Sequence, residues 1–214
     1  MTMRVGLFTE FSYPGKTESQ MYREVMAEIE LADQLGYDFF STTQSYGRDF
    51  ASCSPFPLGL YAAAAQRTKT IRFFTGILCV PLHHPAILAS EIAAADMLSG
   101  GRIELGLGRG HPWLYTRLGL DPEESRPRFD EGIDLLLRIF DQDIVERFQG
   151  RFWNLEHFQL SPRPIQKPRP PIFVAAIPGS PSSRFASEHE LGIDRKSTRL
   201  NSSHIQKSRM PSSA

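Results

Sequence analysis

Cysteine is scarce in this 214-residue chain, which has only Cys53 and Cys79. They form no CxxC pair and no staple pattern, which argues against a disulfide scaffold and the common zinc motifs. An excess of one charge is also missing: Lys plus Arg and Asp plus Glu number 24 each. There is therefore no basic footprint for nucleic acid. No apolar run approaches the ~18 residues of a membrane span, and Met1–Val5 does not have the form of a signal peptide. These absences point to a cytoplasmic protein with neither nucleic-acid nor membrane partners. The chain is 41% hydrophobic, enough to bury one medium core at ~150 residues per domain.

Apolar residues become rare again in the last 21 positions, "DRKSTRLNSSHIQKSRMPSSA", which hold six serines and no periodicity. A disordered tail fits that composition. Back-translation gives a sharper reading. Asp194–His204 and Ser208–Ala214 can be written as two strings of a common sequencing-library adapter, with Ile205–Lys207 filling the index between them. The expectation is a non-native tail over 194–214 and a native reading frame that stops near Ile193. Without the tail's five basic residues and one acid, 19 basic and 23 acidic residues remain, a net of −4.

The body of the chain alternates strands and helices. Strands are expected at 4–8, 38–43, 71–80, 102–108 and 170–176. Helices are expected at 18–35, with Tyr22, Val25, Ile29 and Ala32 on one face, at 58–68, and from Pro85 to about Leu98. Asp121–Glu124 reads as a capped start for a further helix, whose buried stripe is Phe129, Ile133, Leu136 and Phe140. The aromatic, proline-rich run from Arg147 to Pro170 reads as an excursion. Repeated β-α alternation implies a parallel sheet, either doubly wound or a (β/α)8 barrel interrupted after its fifth strand.

Glycines bear on that choice. "LSGGRIELGLGRGH" (98–111) spaces them as G-x-G-x-G on the fourth strand, followed by Pro112 instead of a helix. A dinucleotide fingerprint needs G-x-G-x-x-G on the first βα turn. In a barrel, Ile103, Leu105 and Leu107 would face the helix layer, leaving Glu104, Gly106 and Gly108 inward. Two glycines at the carboxyl end would then leave an empty volume that a flat ring system could fill. Arg109 could give a phosphate a forked, charge-assisted grip. A glycine-rich turn with a solvated arginine stays open as the alternative.

Residues 75–110, "TGILCVPLHHPAILASEIAAADMLSGGRIELGLGRG", resemble the signature region of the luciferase-like, flavin-dependent monooxygenases. "FQGRFW" (148–153), "PRPIQKPRPPIFVAA" (162–176) and "GSPSS" (179–183) extend the resemblance over 4–193. It implies a (β/α)8 TIM barrel, of which this chain would supply the first five strands. It also implies reduced FMN delivered by a separate flavin reductase, a small organic substrate, and an assembly compatible with a homodimer. Some members use a deazaflavin instead. By resemblance, Arg109 is a ligand of the flavin phosphate with the His111 backbone beside it. Gly179, Ser182 and Ser183 form the phosphate-binding turn, in accord with the anion affinity of helix N-termini. Gly76–Ile77 corresponds to a peptide, often cis, against which the flavin ring packs.

One departure stands out. Many members carry an acid and a histidine after the second strand, where this chain has "STTQSYG". Gln44 takes the histidine's place and can hydrogen-bond a substrate or flavin oxygen without shuttling a proton near neutrality. Gln44 and His111 are the candidate catalytic residues, and aldehyde-dependent light emission is not expected. Adjacent His83 and His84 read as capping or packing residues, since no third ligand is spaced for a metal. Glu10 could act as an acid or base, Trp113 could line the substrate side, and Phe152 and Trp153 could base a lid. A flavin-dependent monooxygenase is the leading reading. A deazaflavin-dependent dehydrogenase and a non-catalytic flavin-binding protein are the alternatives.

Overall fold

The computed structural model describes residues 4–11, 15–47 and 53–195. Its elements run β1 (Gly6–Phe8), α1 (Glu18–Gln34), β2 (Phe39–Thr42), α2 (Pro57–Ala65), β3 (Arg72–Thr75), β4 (Leu78–Cys79), α3 (Pro85–Ser99), β5 (Ile103–Gly108) and α4 (Pro112–Arg117). They continue through α5 (Ser125–Asp141), β6 (Val145–Gln149), β7 (Asn154–Phe158), β8 (Ile172–Ala176), α6 (Pro181–Glu188) and β9 (Gly192–Arg195). One sheet has the order β1-β2-β3-β5-β8-β9, with β4 also on β5, and every pairing in it is parallel. With helices packed on its outer face, it is a truncated TIM barrel. The expected boundary at Ile193 falls inside β9, whose ladder with β8 includes Asp194 and Arg195. The rest of the expected tail, from 196 onward, lies outside the described residues.

Alternation along the strands separates two environments. Ile103, Leu105 and Leu107 are fully buried in the core shared with the helices, as are Phe40, Phe73 and Val174. The opposite row is layered. At the amino end, Glu104 is 5% exposed, and its carboxylate pairs with Arg4 at 3.0 Å and with Arg72. Above it Phe74 sits edge-on to Phe39 and Phe173, with ring centroids 6.2 and 5.6 Å away. The carboxyl end above these rings is left for the site.

Helix starts follow local chemistry. Thr17 and Gln20 form a capping box for α1, which buries Met21, Val25, Ile29 and Ala32. Tyr22, expected on that face, is 36% exposed and donates its hydroxyl hydrogen to the Cys53 carbonyl at 2.7 Å. All four expected residues of the α5 stripe are buried. Pro112, taken in the sequence as evidence against a helix, is the first residue of α4. Its missing N–H and fixed φ suit that position. The expected excursion contains an antiparallel hairpin, β6–β7, whose connecting turn is held by Glu131. That carboxylate accepts the N–H groups of Arg151, Phe152 and Trp153, each at 2.9 Å. Trp153 is buried against Gly132 of α5, and Phe152 lies beneath the Arg128 and Arg151 guanidiniums.

The segment "LSGGR" is a helix-to-strand joint. Gly100 and Gly101 adopt φ of 66° and 80°, so both suit glycine. Arg102 then inserts its guanidinium among the ends of α2, α3 and β3. Nε donates to Ser99 O, Nη1 to Thr68 Oγ1 and Ile71 O, and Nη2 to Ala65 O and Thr68 O. All five donors of the fork are therefore engaged, and the plane lies 5.2 Å from the Phe73 ring. Burial lowers the guanidinium's proton affinity, Asp33 opposes this, and Arg72 adds to it. A lysine offers three rotatable donors and cannot reproduce the fork. Arg102→Lys is expected to destabilise the fold by about 2–4 kcal/mol, from several lost charged hydrogen bonds to carbonyls. Chemical denaturation checks this, and an unchanged midpoint at equal m-value would remove Arg102 from the account.

Candidate functional site

The third barrel strand breaks before its carboxyl end. Phe74 pairs with Glu104, and Leu78 pairs with Leu107, so four steps along β3–β4 span three along β5. The bulge holds Thr75, Gly76 and Ile77. Thr75 Oγ1 accepts from Gly106 N and donates to Gly106 O, both at 2.9 Å, restoring the interrupted ladder. The Gly76–Ile77 peptide is cis. A Cβ on Gly76 would lie 2.5 Å from Ser41 Oγ, and Gly76 N donates to Thr42 O at 2.9 Å.

These contacts correct one expectation. Gly106 and Gly108 do not leave an empty volume. A Cβ on Gly106 would stand 2.1 Å from the Thr75 carbonyl oxygen and 2.8 Å from the Phe74 ring. One on Gly108 would stand 2.2 Å from Ile77 Cδ1. Protein fills both places, and the side chain that the second glycine admits belongs to Ile77.

Beside Ile77 of the bulge a cleft of about 350 Å³ opens at the carboxyl ends of β5 and β8. Its walls include Ile77, Gly108, Arg109, Ala176, Arg126 and Ser182. The structure thus brings Ile77, Arg109 and Ser182 together across more than a hundred residues of sequence. Arg109 is exposed, and its guanidinium makes no hydrogen bond or ion pair with a described residue. Its carbonyl is held by the Tyr115 hydroxyl. Burial, then the Cys79 thiol, pushes that phenol well above its usual pKa, against the pull of Arg109 and Arg128.

Arg126, on the first turn of α5, was missed in the sequence. Its Nε donates to Asp130 at 2.7 Å, and Nη1 donates to Ser182 Oγ at 3.2 Å. Asp130, four residues on, was the available signal, because an i,i+4 pair fixes an arginine's direction on a helix face. Two cationic forks therefore face one serine turn. Gly179 sets the turn with φ of 78°, and Ser180 caps α6 by accepting from Ser183 N at 3.3 Å. Ser183 is spent within the turn: its Oγ donates to Ser180 O at 2.8 Å and it does not line the cleft. His111 also stands off the cleft wall, exposed and stacked on Trp113 with centroids 6.1 Å apart. Glu10 lies outside the cleft as well.

Gln44 lies on the other side of the bulge and does not line the cleft. It is buried, and both ends of its amide are fixed by backbone: Oε1 accepts from Cys79 N at 2.9 Å, and Nε2 donates to Pro55 O at 3.3 Å. Its own N–H reaches Ile77 O at 3.3 Å. Nε2 also donates to Tyr46 Oη at 2.9 Å, and His83 Nε2 faces both amide atoms, 3.1 Å from Nε2 and 3.2 Å from Oε1. His84, the other member of the pair, caps α3 by accepting from Ala86 N at 3.2 Å. Among the described residues, no group of three or more His, Cys, Asp or Glu side chains could hold a metal ion, and no helix is long and apolar enough to cross a membrane.

Comparison with known proteins agrees with the fold. The chain belongs to the luciferase-like monooxygenase family, whose model matches residues 3–193. It is 30% identical over 210 residues to the oxygenase component of the flavin-dependent trigonelline monooxygenase of Acinetobacter baylyi, covering 96% of this chain and 57% of that protein. The crystal structure of the monooxygenase RslO1 of Streptomyces bottropensis superposes with a TM-score of 0.84 at 32% identity, over 89% of this chain and 59% of that one. The oxygenating constituent of 3,6-diketocamphane monooxygenase from Pseudomonas putida, solved with FMN, gives 0.79 at 25%, over 89% and 56%. Relatives also include an F420-dependent glucose-6-phosphate dehydrogenase of Beutenbergia cavernae, 29% identical over 180 residues, 81% of this chain and 52% of that protein. The chain spans roughly half the length of the curated relatives it matches.

The two strand glycines are expected to respond differently to a methyl group. In Gly106→Ala the methyl meets a backbone carbonyl that cannot yield, at a cost of about 2–3 kcal/mol. In Gly108→Ala it meets the flexible end of Ile77, and one displaced rotamer costs about 1 kcal/mol. Thermal denaturation of the two variants checks the order, and equal losses would contradict the contact assignment.

Proposed function

We propose that this protein is a flavin-dependent monooxygenase that holds reduced FMN, delivered by a separate flavin reductase, at the carboxyl end of its barrel. The observation that carries the reading is the convergence of Arg109, Arg126 and Ser182 on one cleft beside Ile77. Planar cationic forks and a serine-capped helix start suit a phosphate monoester. The residues fit the cofactor: Arg109 is uncommitted to any described side chain, and Asp130 fixes Nε of Arg126 while its Nη groups face the Ser182 turn. Ile77, raised by the bulge and admitted by Gly108, offers an apolar shelf between that anion grip and Gln44.

The cofactor supplies oxygen activation; the protein supplies grip, orientation and exclusion of water. Arg109, Arg126 and the Ser182 turn would anchor the phosphate, and Ile77 would carry the ring. Gln44, held by two backbone groups, would present a fixed amide at the far end. A deazaflavin-dependent dehydrogenase uses the same kind of cleft without oxygen, and the F420-dependent relatives favour keeping it as the second reading. Oxygen uptake with reduced FMN and candidate substrates separates the two. Reduction of F420 by an alcohol, with no oxygen consumed, would replace the first reading by the second.

Two substitutions test the grip. Arg109→Ala and Arg126→Ala are each expected to weaken FMN binding by about 1.5–3 kcal/mol, the worth of a charge-assisted hydrogen bond. Riboflavin, which lacks the phosphate, should bind both variants and the parent alike. Isothermal titration decides: unchanged FMN affinity in both variants would reject the assignment.

A further inference from the structure

The wall that carries Arg109 is a joint of three residues. β5 ends at Gly108 and α4 begins at Pro112, so Arg109, Gly110 and His111 belong to neither element. Arg109 and Gly110 both line the cleft. Gly110 turns the chain with φ of 77°, and a Cβ there would stand 2.9 Å from Cys79 Sγ, so the joint runs close over that thiol. The two arms of the anion grip are held by different means. Arg126 is steered through its side chain, by the Asp130 carboxylate at 2.7 Å. Among the described residues, no hydrogen bond or ion pair steers the Arg109 guanidinium, so its aim starts from where the backbone sets its Cα.

One donor holds that backbone. The Arg109 carbonyl accepts from the Tyr115 hydroxyl, and no backbone N–H of a described residue reaches it. Tyr115 stands one turn into α4 and is fully buried, so its ring is fixed by packing. From there it folds back over the joint that precedes its own helix. The helix start it stands on is closed by Leu114 N, which donates to His111 O at 3.0 Å. Burial raises the phenol's pKa, so the hydroxyl keeps the hydrogen it donates in neutral and mildly alkaline solution.

We propose that Tyr115 is a positioning residue of the anion grip, holding the β5–α4 joint, through Arg109 O, in the form that presents the guanidinium to the cleft. The proposal rests on the flavin reading for the identity of the ligand, and on the grip alone for the phosphate group. Tyr115 does not line the cleft, so whatever it contributes to binding passes through Arg109. Removing the hydroxyl leaves the packed ring in place and frees the carbonyl. The joint can then take other backbone forms, and the arginine loses more conformational freedom when it closes on an anion. Binding of the phosphate should weaken, while binding of a flavin ring without phosphate should not.

A double-mutant cycle on the full chain tests this, with FMN, riboflavin and inorganic phosphate as separate probes. Tyr115→Phe should weaken FMN about three- to tenfold, the worth of one hydrogen bond, and riboflavin less than about twofold. In an Arg109→Ala background the same exchange should change FMN affinity by less than about twofold, because residues that act as one unit are not additive. A full loss that persists without the Arg109 side chain would overturn the proposal and leave the flavin reading intact. A variant that loses riboflavin as well would make Tyr115 a structural residue of the fold, which also overturns it. If the parent binds neither flavin, the flavin reading falls and phosphate alone, followed by ³¹P NMR, carries the cycle. Weaker phosphate binding in Tyr115→Phe only when Arg109 is present would then uphold the positioning role, and a parent that binds no phosphate would end it.

Discussion

At Gly106 a hydrogen atom stands where a methyl would overlap the Thr75 carbonyl oxygen. The architecture of the mouth follows from that close approach. It lets the third barrel strand bulge without losing its ladder, because Thr75's hydroxyl makes the two hydrogen bonds that the backbone gives up. The bulge lifts Ile77 against Gly108 and places Cys79 N opposite Gln44, so both ends of the site are indexed to one distortion. The cost of bending a parallel strand is offset by full satisfaction of the groups it frees.

The site has a division of labour along its length. Charge is concentrated at the β5–β8 end, where Arg109 and Arg126 come from different elements and meet over the α6 turn. The middle is apolar. Beyond Ile77, off the cleft wall, an amide, a phenol and an imidazole share hydrogen bonds. Such a gradient fits a ligand with an anionic tail and a flat, less charged head. The known relatives include an enzyme crystallised with FMN, whose cofactor has that form.

Much of this was legible in the sequence because it rests on short-range rules. Period-two alternation placed Ile103, Leu105 and Leu107 against the helices, and period-three-to-four spacing placed the α5 stripe. Arg109 and Ser182 could be singled out because glycines and a helix start surround them. Arg126 showed locally only its i,i+4 partner Asp130, since Ser182 is 56 residues away and only the folded chain aligns α5 with α6. Residue 44 could be read as a glutamine, but nothing local says that His83, 39 residues on, presents Nε2 to its amide. The glycine pair was misread for a related reason. Local spacing shows that side chains are excluded, and only the neighbouring strand shows that a carbonyl and an isoleucine take their place. Pro112 carried a true signal read in the wrong direction: it opens a helix as readily as it refuses to continue one.

Arg102 has a consequence for how this sequence can drift. Its fork has no spare donor, and the five acceptors are carbonyls or a hydroxyl on two stretches of chain, residues 65–71 and Ser99. Every amino-acid exchange one nucleotide away from an arginine codon gives a side chain with fewer donors, a shorter reach or no charge. Each such exchange therefore leaves at least one acceptor between α2 and α3 without its partner. At this joint the genetic code offers, one nucleotide at a time, silence or the loss of a hydrogen bond.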